Sequence, residues 1–341
     1  MTIQTSELKF YKSAIVADTT ANGGRIAAAE AATGVKNNVW PDVPQTERVA
    51  GSTKYRKTFL KVANASGLAL YSAQLFVETP TPGGDRVIFH PGTNTDTQGT
   101  MTTTGQWYGA GALNADISSG ATTIVVATEG GSADAIFANG VLIRVSNKAT
   151  VDASSGTEEF VYLASSNAVS WNGTLATLTL STPLANAYQA YNTRVASVWE
   201  IGTIAPAVDT WARSTAAGVY AGWSGGGSTP SIVIPNAIGG IEQTWTITFS
   251  SATVFSVVGD TVGAVGTGNT STDLSPNNSD FSVPYFTMPA SGWSGTWANG
   301  DVISFKTHPA AAAFWQKRII PANTASLAGD KVIFGVSGES A

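Results

Sequence analysis

Proton transfer, nucleophilic attack and metal binding draw mostly on histidine, cysteine and paired carboxylates. This chain offers few of them. It has no cysteine and only two histidines, which removes thiol catalysis, disulfides and cysteine metal ligation. His90 and His308 each precede a proline, and neither has a second histidine at metal-ligand spacing. Each is expected at a strand end, hydrogen-bonded to a loop. The glycine–serine segments around Ser224 and Ser294 lie in no strand-to-helix pattern, so neither reads as a nucleophile elbow. The run Gly263-Ala264-Val265-Gly266-Thr267-Gly268 has no lysine near it. It is therefore no phosphate loop and reads as a flexible β-loop. Glu158 and Glu159 are adjacent, and on a strand they point to opposite faces. Asp273, Asn277, Asn278 and Asp280 gather oxygen ligands without the EF-hand spacing and read as a polar turn. These residues give no catalytic, cofactor-binding or metal site, and no enzyme is expected.

Contact surfaces are the remaining chemistry. Lys54, Arg56, Lys57 and Lys61 form the one basic cluster, on an alternating strand pattern. A solvated strand face is the first expectation; a docking patch for an acidic neighbouring subunit is the alternative. Trp245 alternates with Ile247 and Phe249, which places all three on one strand face, in a core. Trp223 and Trp293 lie in glycine–serine loops. They are expected to cap the ends of a sandwich, with subunit anchoring or glycan stacking as the other roles open to such rings. Trp40, between Val39 and Pro41 in the loop that begins at Asn37, is the best candidate for an anchor outside the core. The subunit-contact candidates are thus Trp40, Lys54, Arg56, Lys57, Lys61, Trp223 and Trp293.

The elements that must position these residues are nearly all strands. Segments 55–62 and 68–78 are rich in aromatic and aliphatic residues, and Asn64-Ala65-Ser66-Gly67 between them is turn chemistry. Similar strands are expected at 86–90, 122–127, 141–146, 158–163, 174–180, 243–249, 255–258, 301–305 and 331–336. Segment 285–288, flanked by Pro284 and Pro289, reads as an edge strand or extended loop. Helix is expected only at 24–33, with 183–191 a short turn or helix and 309–315 one helical turn or a loop. The fold class is therefore all-β: several β-sandwich or small-barrel modules with little helix. An internal echo joins Phe137-Ala138-Asn139-Gly140 to Trp297-Ala298-Asn299-Gly300; each is an aromatic and an Asn-Gly turn ahead of an aliphatic strand.

The chain has 341 residues, of which 43% are apolar and 12% charged, with net charge −5. That length suggests two or three domains and a core large enough to need no staple. About 25% charged residues is usual, so the surface is unusually weakly charged. Up to residue 90 there are ten Lys and Arg against seven Asp and Glu; beyond it there are eight against sixteen. No cation occurs between Arg213 and Lys306, so no nucleic-acid surface is expected there. No apolar run is long enough to span a bilayer, and no secretory signal is visible at the start, so release by a route such as lysis is expected. The domain reading is an N-terminal extension with sandwich strands at 1–111, a β-module at 112–200 and a C-terminal sandwich at 201–341. The glycine-rich stretch 225–228 is the most linker-like segment. The last region is also placed to complete the first, which makes the middle one an insertion.

A resemblance gives these modules a setting. The segments Gly120-Ala121-Thr122-Thr123-Ile124-Val125-Val126, Glu158-Glu159-Phe160-Val161-Tyr162 and Leu178-Thr179-Leu180-Ser181-Thr182-Pro183-Leu184 resemble a β-module of tailed-bacteriophage virion proteins. Val141 stands where that pattern has an acidic residue. Tyr55-Arg56-Lys57-Thr58-Phe59-Leu60-Lys61-Val62 and Trp315-Gln316-Lys317-Arg318-Ile319-Ile320 resemble opening and closing strands of such sandwiches. The resemblance implies a structural subunit of a tailed-phage particle in its tail or baseplate, located in the virion and made in the host cytoplasm. A capsid head-decoration protein is the alternative, and a glycan-binding receptor-recognition module is one of another class. The implied partners are other virion proteins and copies of itself, with no nucleic acid and no membrane span; the first residues, 1–11, would reach onto neighbours.

Overall fold

The computed structural model describes residues 2–214, 217–220 and 233–340. Strand accounts for 48% and helix for 5%. The chain is all-β, with several antiparallel sheets packed face to face.

The first ninety residues give β1 (Leu8–Ile15), β2 (Gly23–Glu30), the short helix α1 (Gln45–Ala50), β3 (Ser52–Val62), β4 (Leu70–Thr79) and β5 (Arg86–Pro91). The middle supplies β6 (Ala110–Leu113), β7 (Thr123–Ala127), β8 (Leu142–Ser146), β9 (Glu158–Tyr162), β10 (Val169–Asn172) and β11 (Leu175–Thr179). The long β12 (Arg194–Ile204) leads to β13 (Ala207–Arg213), β14 (Gly218–Tyr220), β15 (Ile234–Pro235), β16 (Gln243–Phe249), β17 (Val254–Gly259) and β18 (Gly263–Asn269). Four short strands follow: β19 (Asn277–Asn278), β20 (Val283–Pro284), β21 (Phe286–Thr287) and β22 (Trp293–Gly295). The chain closes with β23 (Val302–His308), β24 (Ala311–Ile320) and β25 (Ile333–Ser340).

Three sheets carry the architecture. A central sheet runs β2-β1-β3-β24-β5, a nine-stranded sheet runs β10-β11-β7-β6-β12-β4-β25 with β8 and β9 branching from β12, and a C-terminal sheet runs β13-β23-β16-β17-β18. The end of the chain returns to its beginning. β24 pairs with β3 from Ala311↔Lys61 to Ile320↔Ser52, and β25 pairs with β4. The middle strands share one sheet with these, because β12 hydrogen-bonds to β4, β6 and β8.

The central sheet is covered on both faces. On one, Phe10, Leu60, Val62, Phe89 and Phe314 pack against Leu75, Val77 and Phe334 of the nine-stranded sheet. On the other, Tyr11, Phe59 and Ala313 join Trp245, Phe286 and Phe305 of the C-terminal module. β3 is therefore buried at every residue from Arg56 to Val62, where an alternating pattern predicts one wet face.

Tertiary pairing overrides local propensity in several places. Segment 24–33, expected as helix, is β2. Its alanines favour helix weakly, whereas pairing with β1 (Ser13↔Ile26, Ile15↔Gly23) satisfies its backbone in the sheet. Segment 309–315, expected as a helical turn or loop, enters β24, with Ala311 and Ala313 packed in one core and Ala310 and Ala312 in the other. Segment 183–191, expected as a short turn or helix, forms bends, a bridge and a turn, with no helix. The glycine run 263–268 is not a loop but the edge strand β18, paired with β17. Residues from Leu8 onward do not reach outward; they pair in register with β3. The one α-helix among the described residues, α1, was not expected, although Pro44 at its N-cap, Glu47 in its first turn and Gly51 (φ 78) after its end are all helix-boundary chemistry. The internal echo has a common geometry: Phe137 and Trp297 are both 4% exposed, and Gly140 (φ 71) and Gly300 (φ 90) both turn the chain into a strand.

Candidate assembly surface

The basic cluster splits between the two faces of β3. Lys54 and Arg56 share a face with Gln316 and Arg318, their register partners on β24. Lys54 Nζ lies 2.6 Å from Glu47 Oε1 and 2.8 Å from Asp18 Oδ2, and Arg56 Nη1 lies 2.6 Å from Asp18 Oδ1. Burial alone would raise the Asp18 and Glu47 carboxyls; hydrogen bonds from Lys54, with Arg56 or Ser52, outweigh it and hold both below the ordinary range. The Trp40 ring contacts two guanidiniums, 4.7 Å from Arg318 and 5.1 Å from Arg56, and its Nε1 donates to Gln316 Oε1 at 3.0 Å. Trp40 is half-buried and fastened to its own chain; it straps the segment before α1 onto the central sheet.

Lys57 and Lys61 point the other way and are 1% and 0% exposed. Neither lies on a solvated strand face: Gly24 and Asp96 close over Lys57, and Ile238 and Phe281 of the C-terminal module close over Lys61. Lys57 Nζ meets Asp96 Oδ1 at 2.6 Å and donates to the carbonyls of Gly24 (2.7 Å) and Asp96 (2.9 Å). Lys61 Nζ donates to the Ile238 carbonyl and lies 4.1 Å from the Phe281 ring centre and 5.6 Å from that of Tyr11. No ion pair of Lys61 occurs among the described residues. Burial lowers its amine to about 7.

Trp293 is half-buried, with Tyr220, Phe255, Phe249 and Trp297 at centroid distances of 4.6, 5.0, 5.5 and 5.5 Å. It caps one end of the C-terminal core. Trp245, Ile247 and Phe249 are in that core, at 0–1% exposure. Trp223 and the linker-like stretch 225–228 lie outside the described residues.

Residues with chemical potential are engaged internally. His90 Nδ1 is 2.8 Å from the Gln106 carbonyl. His308 ends β23 between Glu242 Oε2 (2.9 Å) and Asp209 Oδ1 (3.0 Å). Burial would lower its pKa, but these two carboxylates raise it above the ordinary value. Glu158 pairs with Arg144 at 2.8 Å and Lys148 at 2.7 Å, while Glu159 accepts from the backbone of Ala185 and Asn186. In the oxygen-rich turn, Asp273 accepts from the Ala290 amide, and buried Asn278 donates to the Gly239 carbonyl. Among the described residues, no group of three His, Cys, Asp or Glu is arranged to hold a metal ion.

Among the described residues, the outer side of the C-terminal sheet is a broad open face. Thr244, Thr246 and Thr248 of β16 alternate with the buried Trp245, Ile247 and Phe249. Thr246 lies opposite Ser304 of β23 and Val258 of β17; Thr248 lies opposite Val302 and Ser256. Val254 and Val258 are 42% and 41% exposed. Away from the end that carries Lys306, the face is mainly threonine, serine, valine and alanine. Charge gathers at one end, where Lys306 meets Glu242 at 2.6 Å, His308 meets Asp209 at 3.0 Å and Arg25 meets Asp260 at 3.3 Å. The alternation of threonine with aromatic and aliphatic residues at 244–249 is the sequence signal for this face.

No protein-family model matches the chain, and no curated protein matches it. No helix among the described residues is long and apolar enough to cross a membrane.

Proposed function

We propose that this chain is a structural subunit, acting by assembly with copies of itself and with other virion proteins, in the tail or baseplate of a tailed-phage particle as the sequence resemblance implies. The observation that carries this reading is the neutral Thr/Ser/Val face of the C-terminal sheet. Covering such a face removes apolar methyl groups from water and strips no charge of its hydration. The conspicuous cations support the same reading: they hold the fold together from inside, which leaves little positive surface for nucleic acid. Head decoration is the nearest alternative. It differs in copy number, since a shell protein repeats many times and a tail component forms a few rings. Glycan binding is less well supported, because the Trp293 ring is enclosed by four aromatic neighbours.

Sedimentation velocity across a concentration series, with quantitative mass spectrometry of purified particles, tests the proposal. Concentration-dependent assembly and incorporation at a fixed copy number are expected. A chain that stays monomeric at every concentration and is missing from particles would contradict it.

A further inference from the structure

The C-terminal module is tied to the rest of the chain at Glu242, the residue just before β16. Glu242 is 6% exposed, and its carboxylate meets three donors. Lys306 Nζ reaches Oε1 at 2.6 Å, while His308 Nδ1 (2.9 Å) and Asn94 Nδ2 (3.0 Å) share Oε2. The Glu242 carbonyl accepts from Arg25 Nε. Lys306 and His308 belong to β23 of the C-terminal sheet, Arg25 to β2 of the central sheet, and Asn94 to the loop after β5. Both sides of the seam therefore hold the same residue. Burial would raise the Glu242 carboxyl, but hydrogen bonds from Lys306, Asn94 and His308 outweigh it and hold it below the ordinary range.

Histidine is the arm of this cluster that can change charge near neutral pH. The second ring nitrogen of His308, Nε2, faces Asp209 Oδ1 at 3.0 Å. Asp209 lies on β13, where the register with β23 shifts after it and Thr210 takes φ 53. Thr210 Oγ1 donates to the same Asp209 oxygen at 2.7 Å. A bulge of this kind re-aims side chains, and here it accompanies a carboxylate turned toward the ring. Among the described residues, the other charges of the cluster are Lys306 on the histidine's own strand and the Arg25–Asp260 pair beyond Glu242. β16, the neighbour of β23, carries no charged residue. A protonated imidazole has an N–H on both nitrogens and suits both carboxylates. A neutral one has a single N–H, which leaves one carboxylate against a lone pair.

We propose that His308 is a pH-sensitive latch on the seam between the C-terminal module and the central sheet: protonated, it bridges Asp209 to Glu242 and steadies Glu242 against Asn94 and Arg25; deprotonated, it lets that hold slacken. The direction follows from the surroundings of the ring. Burial would lower the His308 pKa, but Asp209 and Glu242 raise it above the ordinary value. A group raised in this way stabilises the fold fully below its unfolded value, near ~6.5, and loses that contribution as pH rises through its folded value. The latch is closed in mildly acidic solution and loosens as the solution turns alkaline. Lys61, which meets the same module at the Ile238 carbonyl, acts with the opposite sign, because burial lowers its amine. This proposal is independent of the assembly reading.

The test reads the full chain in three ways. An NMR titration follows the imidazole signals of wild type, Asp209→Asn and Glu242→Gln; the chain has only two histidines, so His308→Gln assigns the signal. His308 should titrate above about 6.5 in wild type and at lower pH in each variant. Should Glu242→Gln fail to fold, Asp209→Asn carries this readout, since the Asp209 side chain is 58% exposed. Next, the melting temperature of wild type is compared with that of His308→Gln from about pH 5.5 to about pH 9. Lys61 is common to both proteins, so its titration cancels. Wild type should melt about 2–4 °C higher at the acidic end, and the gap should close as pH rises. Finally, protection of the Asn94 loop against amide exchange should fall in His308→Gln at the acidic end. A wild-type His308 midpoint at or below about 6.5, a melting gap that stays constant with pH, or unchanged protection of the loop would each overturn the proposal.

Discussion

The central sheet and the C-terminal sheet handle charge in opposite ways. The central sheet is sandwiched between two layers, and it holds Arg56, Lys57, Lys61 and Arg318 at 0–6% exposure. The C-terminal sheet has one face open to solvent, and that face is almost free of charge. Ordinary proteins keep ions outside and neutral groups inside. Here the ions hold layers together internally while a neutral sheet face is left to solvent. The difference teaches that low overall charge need not mean weak internal electrostatics; it identifies which surface can be covered at little desolvation cost.

The largest break in this comparison should come from Asp96→Ala. It strands the fully buried Lys57 amine without its carboxylate, a change that costs about 3–5 kcal/mol, and it also removes the acceptor for Trp315 Nε1. Equilibrium denaturation in urea would measure the loss.

A smaller effect of opposite sign is expected at Lys61. Lys61→Met should stabilise the fold by about 1–4 kcal/mol near neutral pH, because it replaces a buried amine lacking a carboxylate partner with a side chain of similar length. The pH dependence sharpens the point. Between the folded amine's value of about 7 and the usual lysine value near ~10.4, the unfolded chain binds the extra proton. Wild-type stability should therefore rise with pH from about 7 upward, and Lys61→Met should flatten that slope. Melting temperatures of the two proteins from about pH 7 to about pH 9 would show it.

Trp40→Ala should cost about 1–2 kcal/mol through two lost cation–π contacts and one hydrogen bond. It should also open the segment before α1 to limited proteolysis while assembly continues. Assembly that failed while the fold held would return Trp40 to the role of an outward anchor.

Much of the β-structure was legible because alternation is a local signal: 243–249 matches β16 residue for residue. What could not be read was set by layers meeting across long stretches of chain. The basic run at 54–61 looks half-wet until Gly24 and Asp96 cover Lys57 and the C-terminal module, 177 residues on at Ile238, covers Lys61. The alanines at 24–33 and 309–315 suit a helix locally but lie in strands because partners elsewhere complete the sheet. Trp40 sits in a loop like any surface tryptophan, and nothing nearby announces Arg318. The open face, by contrast, is present in the sequence as the threonines at 244, 246 and 248 that alternate with the buried residues of β16.

The most direct measurement is sedimentation velocity of the double variant Thr246→Glu, Thr248→Glu beside wild type, with thermal unfolding of both. Two carboxylates on the neutral face should leave stability within about 0.5 kcal/mol and weaken self-association or incorporation by about tenfold or more. A variant that assembles as well as wild type would show that this sheet face is not the contact surface.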